Sequence, residues 1–193
     1  MENIKISLID HNDSFTYNIV EMLRKIDNID HDVISIDKID VNKLENYDNI
    51  ILSPGPGLPA DYPKLREIIK TYKTSIPILG ICLGHQAICE FFGARLDNLQ
   101  SVYHGYQQRV ELVDGSKLFR DIDSNFYVGL YHSWVMSDDN IPAELKITSF
   151  SEKGYVMSVE HREYNIYGIQ FHPESFMTSR GLEIIKNFIF IQD

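Results

Sequence analysis

The chain is poor in cations, nearly free of cysteine and tryptophan, and without any long apolar run. Its 193 residues carry 18 Lys and Arg against 28 Asp and Glu, a formal net charge of −10. Lys and Arg never run longer than two. Polyanion binding depends on clustered cations that release counterions, so neither a nucleic-acid nor a membrane partner is expected. Uninterrupted apolar stretches are a handful of residues, far short of the roughly 20 needed to span a bilayer. The start, Met1-Glu2-Asn3-Ile4-Lys5, lacks the basic-then-apolar plan of a signal peptide, and a cytoplasmic location is expected. The two cysteines, Cys82 and Cys89, would stand about 10 Å apart on one helix, too far for a disulfide. A chain of this length needs no such staple, because it can bury about 70% of its unfolded surface.

What is present is the balance of a soluble globular protein, 44% hydrophobic and 24% charged, sized for one domain over residues 1–193. No internal repeat, low-complexity tract or linker interrupts it. The stretch from Asp27 to Asp48 holds seven Asp or Glu but lacks the Asp-x-Asp-x-Asp-Gly pattern of a calcium loop, and reads as a solvated surface. Apolar β-branched runs alternate with helical spacing. Strands are expected at Ile4–Ile9, Val33–Ile36, Asn49–Ser53 and Ile76–Ile81. The first helix carries Phe15, Ile19, Met22, Leu23 and Ile26 and is capped by Asp13 or Ser14. A second runs from Pro63 to about Tyr72, and a third from about Gly84 to Phe92. This order predicts an α/β fold of three layers, a mostly parallel central sheet with helices on both faces. Between about Val102 and Val159 the pattern changes to short strands (QRVELV, NFYVGL, LKITSF, YVMSVE), read as antiparallel additions. Ile166–Phe171 is a further strand, and Ser179 is expected to cap a last helix through Phe190.

The chemistry concentrates where strands end. Gly80-Ile81-Cys82-Leu83-Gly84 fits G-x-C-x-G between an apolar strand and an amphipathic helix, the cysteine form of a nucleophile elbow. A helix N-terminus there favours thiolate, and the Leu83 amide is the natural donor to an oxyanion. The alternative is that Cys82 is a small buried hydrophobe, as Cys89 is expected to be. Cys82, His85 and Cys89 also have metal-ligand spacing, but Cys82 would fall in the turn and no fourth ligand is evident, so no metal site is expected. His172-Pro173-Glu174 leaves a strand, and an extended backbone would put Glu174 beside the His172 imidazole, a base with its orienting carboxylate. A zinc deaminase would also need P-C-x-x-C, which is absent. Ser53-Pro54-Gly55-Pro56-Gly57 follows another strand. It does not complete G-x-G-x-x-G, and it reads as a rigid wall facing a ligand.

SPGPG, GICLGHQ, YHS and GIQFHPES, in this order and spacing, together with Asp10–Asn18, resemble the class I (triad) glutamine amidotransferases over nearly the whole chain. Within them, the resemblance is to the small glutaminase subunits of anthranilate synthase and aminodeoxychorismate synthase. It implies a flavodoxin-like class I glutamine amidotransferase fold, with Cys82 as nucleophile, His172 as acid/base and Glu174 as its orienting partner. It implies that Gly55, Pro56 and Gly57 line the glutamine site and that the Gly57 amide joins that of Leu83 in the oxyanion hole. Gln86 would contact the substrate, and Ser133 and Trp134 would hold its amino-acid end. Two departures touch the partner-facing surface: Tyr106 follows His104-Gly105 where a Lys is usual, and Leu130-Tyr131-His132-Ser133-Trp134 replaces Arg-Tyr-His-Ser-Leu.

The activity implied is hydrolysis of L-glutamine to glutamate and ammonia, delivered to a separate chorismate-using synthase. The motifs leave no room here for a domain that would use the ammonia. No cofactor is expected in this chain, and magnesium only in the partner synthase. The ortho (anthranilate) and para (aminobenzoate) branches stay open. Glutaminase subunits serving other syntheses, a cysteine hydrolase on the same elbow, and a non-catalytic or metal-sensing protein are the competing readings.

Overall fold

The computed structural model describes residues 2–100, 102–113 and 115–191. The chain runs through β1 (Ile4–Asp10), α1 (Thr16–Leu23), β2 (Ile29–Ser35), β3 (Asn49–Leu52), α2 (Pro63–Tyr72), β4 (Ile78–Ile81) and α3 (Leu83–Phe91). Then follow β5 (Leu96–Asn98), β6 (Tyr106–Leu112), β7 (Asn125–Leu130), β8 (Trp134–Met136), β9 (Leu145–Ser151), β10 (Val156–His161), β11 (Ile166–Ile169) and α4 (Gly181–Ile189). Nine strands form one sheet in the order β2-β1-β3-β4-β11-β10-β9-β6-β7. The pairs from β2 to β11 are parallel, and those from β11 to β7 are antiparallel.

Side-chain alternation builds the three layers. Ile6, Leu8 and Ile51 face a cluster completed by Ile19 and Leu23 of α1 and Ile184 and Phe188 of α4. Ile9, Ile50 and Leu52 face the opposite cluster, completed by Leu65, Ile68 and Ile69 of α2 and Leu83 and Ile88 of α3. Strands β3 and β4 are buried on both faces, which is why their sequences are unbroken apolar runs. The direction of winding reverses between β1 and β3, so the crevice beyond their carboxyl ends is the place where such sheets bind ligands. The ends of β1, β3, β4 and β11 all open there.

Several boundaries differ from the sequence expectation, each for a local reason. The second strand starts earlier, at Ile29, because it pairs along the full length of β1. Ser179 does not cap the last helix: its N–H and hydroxyl both donate to Tyr127 O, and α4 begins at Gly181. Neither Asp13 nor Ser14 caps α1: Phe15 stands at the N-cap without a side-chain cap. Asp13 accepts from Phe15 N at 2.8 Å just before the helix, and Asp10 takes the Thr16 hydroxyl at 2.7 Å. The two-stranded sheet β5–β8 has no counterpart in the sequence expectation, since three-residue strands carry no readable period. Among the described residues no helix is long and apolar enough to cross a membrane.

Helix α3 lies close on the sheet because two glycines permit it. A Cβ at Gly84 would sit 2.5 Å from Leu52 O, and one at Gly80 would strike the Gly84 and His85 backbone. Gly84→Ala is therefore expected to cost about 2 kcal/mol or more in denaturant unfolding, an overpacking penalty against backbone that cannot yield. An unchanged midpoint would show that the helix can lift off freely.

Candidate active site

Cys82 joins β4 to α3 in a conformation that L-residues avoid, φ 51° and ψ −98°. It is tied on both sides: its N–H donates to Ile169 O at 2.8 Å and its carbonyl accepts from Gln86 N at 3.0 Å. Strain of this kind persists only where the surroundings over-determine it. The result is a tight strand-to-helix elbow, with the Cys82 side chain only 7% exposed and the first amides of α3 next in the chain. Cys89 is buried too, completely and against the His85 ring, and burial pushes its thiol far up. His85 is held down to about 3 by the same burial.

His172 arrives from the end of β11, where its N–H donates to Gly129 O at 3.1 Å. Its Nδ1 lies 2.7 Å from Glu174 Oε1, and both side chains are almost completely shielded. The contact is not made by an extended segment, as the spacing suggests. A turn closed by Ser175 N–H to His172 O brings the two side chains together, and the Thr178 hydroxyl also donates to that carbonyl. With Nδ1 engaged, Nε2 is buried without a fixed partner on the other edge of the ring. Desolvation alone would lower the His172 pKa. The Glu174 carboxylate, which also hydrogen-bonds the ring, and the charge of the Cys82 sulfur outweigh it, and the pKa lies well above the ordinary 6.5. The rings of Phe15 and Tyr131 pack edge-on against the imidazole, at centroid distances of 5.2 and 4.9 Å.

The loop after β3 closes the other side. The Ser53 hydroxyl donates to Pro54 O at 2.7 Å, so it accepts from the His11 N–H at 3.1 Å and from Nδ1 at 3.0 Å. His11 is thus a buried, neutral Nδ1–H tautomer, held down to about 4 chiefly by desolvation. Gly55 presses on it and on Leu83, with no room for a Cβ at either contact. Pro56 O accepts from the Tyr62 hydroxyl, and Gly57 takes φ +77°. Gln86 is buried, and its Nε2 donates to Trp134 O and to Gln170 Oε1. The Ser133 carbonyl is taken by Leu99 N and that of Trp134 also receives His132 Nδ1.

Contacts join several of the residues singled out in the sequence: Gly55 to Leu83, Gln86 to Trp134, and His172 to Glu174. His11, His132, Tyr131 and Gln170 enter these contacts as well, although their sequence positions suggest no role for them. His11 and Gln170 are each one residue type inside a motif string, and nothing local shows that a histidine packs under a remote loop. Tyr106 receives a cation from elsewhere: Lys153 Nζ donates to Tyr103 OH at 2.8 Å and stands 6.0 Å over the Tyr106 ring. Surface grooves of about 530 and 590 Å³ contain none of these groups. Among the described residues no cluster of three His, Cys, Asp or Glu side chains is placed to hold a metal ion.

The family model "Glutamine amidotransferase class-I" matches residues 7–192. The chain is 41% identical over 188 residues to a candidate anthranilate synthase component II of Haemophilus influenzae, covering 97% of each. It is 40% identical to anthranilate synthase component 2 of Cyanidium caldarium, covering 95% of this chain and 97% of that one. A crystal structure of a candidate GMP synthase subunit from Thermoplasma acidophilum superposes with a TM-score of 0.87 at 28% identity, covering 98% of this chain and 94% of that one.

The carboxylate beside His172 generates a pH prediction. Glu174→Gln removes the largest charge that raises the imidazole pKa, so the ring loses its proton at lower pH. The alkaline limb of a Cys82-dependent rate should move to lower pH by about one unit or more. A limb that stays in place would mean that Glu174 does not hold the proton on His172.

Proposed function

Since the chain belongs to the class-I glutamine amidotransferases, we propose that it releases ammonia from L-glutamine through Cys82, His172 and Glu174. The observation that carries this reading is the buried His172–Glu174 pair acting on a sulfur held at a strained strand-to-helix turn. The Cys82 sulfur attacks the side-chain carboxamide carbon of glutamine. Charge gathering on the carboxamide oxygen meets the N–H groups of Leu83 and Gly57, aimed by the α3 N-terminus and the loop stiffened on His11. The imidazolium gives its Nε2 proton to the departing nitrogen, the C–N bond breaks, and ammonia leaves a glutamyl thioester on Cys82. His172, now neutral, takes a proton from water as it attacks, and glutamate is released with the thiolate restored. Glu174 keeps Nδ1–H occupied so that Nε2 alone faces the reacting atoms. Gln86, Ser133 and Trp134 bound the space left for the amino-acid end of the substrate. No cofactor takes part in these steps.

Ammonia in open water becomes ammonium, which is not a nucleophile, so the product has to pass directly to an acceptor enzyme. The relatives at 40–41% identity are named as anthranilate synthase components, and we take the acceptor to be a chorismate-using synthase of that branch. The candidate GMP synthase subunit, at 28% identity, shares the fold. The face around the site suits docking. Phe176 is 90% exposed and lies two residues beyond Glu174, with Tyr17 67% exposed nearby in sequence to Phe15. A partner resting on Phe176 would press on the very turn that joins His172 to Glu174, which couples docking to the state of the triad.

Two measurements test the reading. Cys82→Ser should lower glutamine hydrolysis at least about a thousandfold while leaving the fold intact; undiminished turnover would refute the nucleophile. Phe176→Asp should weaken binding to the partner synthase about tenfold in a titration, and unaltered affinity would remove this face from the interface.

A further inference from the structure

Gln170, two residues before His172, is fully buried, and none of the steps above uses it. A carboxamide in such a place has to commit both its oxygen and its nitrogen, because an unpartnered buried polar atom is costly. Which end faces which partner is ordinarily open to exchange. Here a backbone carbonyl settles it. Gln86 meets Trp134 O at 3.0 Å, and a carbonyl oxygen only accepts, so the Gln86 nitrogen is at that end. The same nitrogen lies 3.2 Å from the Gln170 carboxamide, which must answer with its oxygen. The Gln170 nitrogen is then left facing Cys82 Sγ, at 3.6 Å. The direction of the whole chain is fixed from Trp134 to the sulfur.

We propose that Gln170 is a further catalytic residue, an N–H donor that holds the Cys82 sulfur as the anion, and that Gln86 is the positioning residue that keeps this donor from turning over. The proposal rests on Cys82 being the nucleophile. A donor to sulfur favours the charged form over the neutral thiol, which accepts only weakly. The sulfur thus has a cationic ring on one side and a fixed amide on the other. The contribution belongs to the free enzyme, because acylation discharges the sulfur and the amide then has little to stabilise. The Gln170 backbone stays tied to Met157 O at 2.8 Å, so the side chain can be altered with its strand still pinned.

The test follows alkylation of the intact protein by iodoacetamide against pH, with Cys82→Ser as the blank and circular dichroism to register folding. Gln170→Met keeps the volume and removes the donor. It should move the half-maximal pH of Cys82 alkylation up by about one unit. Gln170→Asn, whose amide falls short of the sulfur, should shift it in the same direction and carries the test if the Met variant fails to fold. Gln86→Met, which leaves the donor present but unpinned, should give an intermediate shift. An unmoved alkylation profile in the folded Gln170 variants overturns the proposal, and an unmoved profile in Gln86→Met overturns its positioning half. Iodoacetamide reports on the sulfur and not on glutamine, so either failure leaves the glutaminase reading standing. Undiminished glutamine turnover in Cys82→Ser would instead sink that reading.

Discussion

The structure depends on the close seating of α3 against β3 and β4. That seating exists because Gly80 and Gly84 present no side chain where backbone meets backbone. It forces the one residue between strand and helix into φ 51°, a conformation that costs about 1–3 kcal/mol for an L-residue. The strain is held by ordinary hydrogen bonds on either side and by the two apolar layers that clamp the sheet. Its effect is to set a sulfur at the carboxyl end of a parallel sheet, next to the first free amides of a helix.

Around that sulfur the protein arranges groups whose charges are set by burial and by one another. His11, His85 and His132 are all desolvated and held neutral, at about 4, 3 and 4. His172 is buried as deeply and goes the other way, because a carboxylate and the sulfur accompany it. These four imidazoles therefore split into three neutral fillers and one cation, and the difference lies in the partner, not in the degree of burial. The neutral ones still serve: His11 stiffens the loop that carries Gly57, and His132 shares the Trp134 carbonyl with Gln86.

Much of this is legible in the residues, and the rest has physical reasons for staying hidden. The unbroken apolar runs of β3 and β4 and the helical spacing of Leu65, Ile68 and Ile69 announce the layers. The two glycines around Cys82 announce the elbow. The short strands β5 and β8 are illegible because Leu96 and Met136 meet across a long stretch of chain. The His172–Glu174 contact follows from the spacing, but its cause does not: Pro173 takes part in a turn closed at Ser175, not in an extended strand. Ser179 looks like a helix cap by residue type, and tertiary bonds to Tyr127 claim it instead. Gln170 lies in plain view within a motif, yet its amide has meaning only once Gln86 and Trp134 are known to be adjacent.

If Cys82 is poised by His172 as proposed, it alone should react with a glutamine-shaped electrophile. The most direct measurement treats the protein with a glutamine analogue bearing a chloroketone in place of the carboxamide and locates the adduct by mass spectrometry. One label per chain on Cys82, blocked by excess glutamine and absent from Cys89, is the expected result. Labelling that falls on Cys89, or that glutamine does not slow, would contradict it.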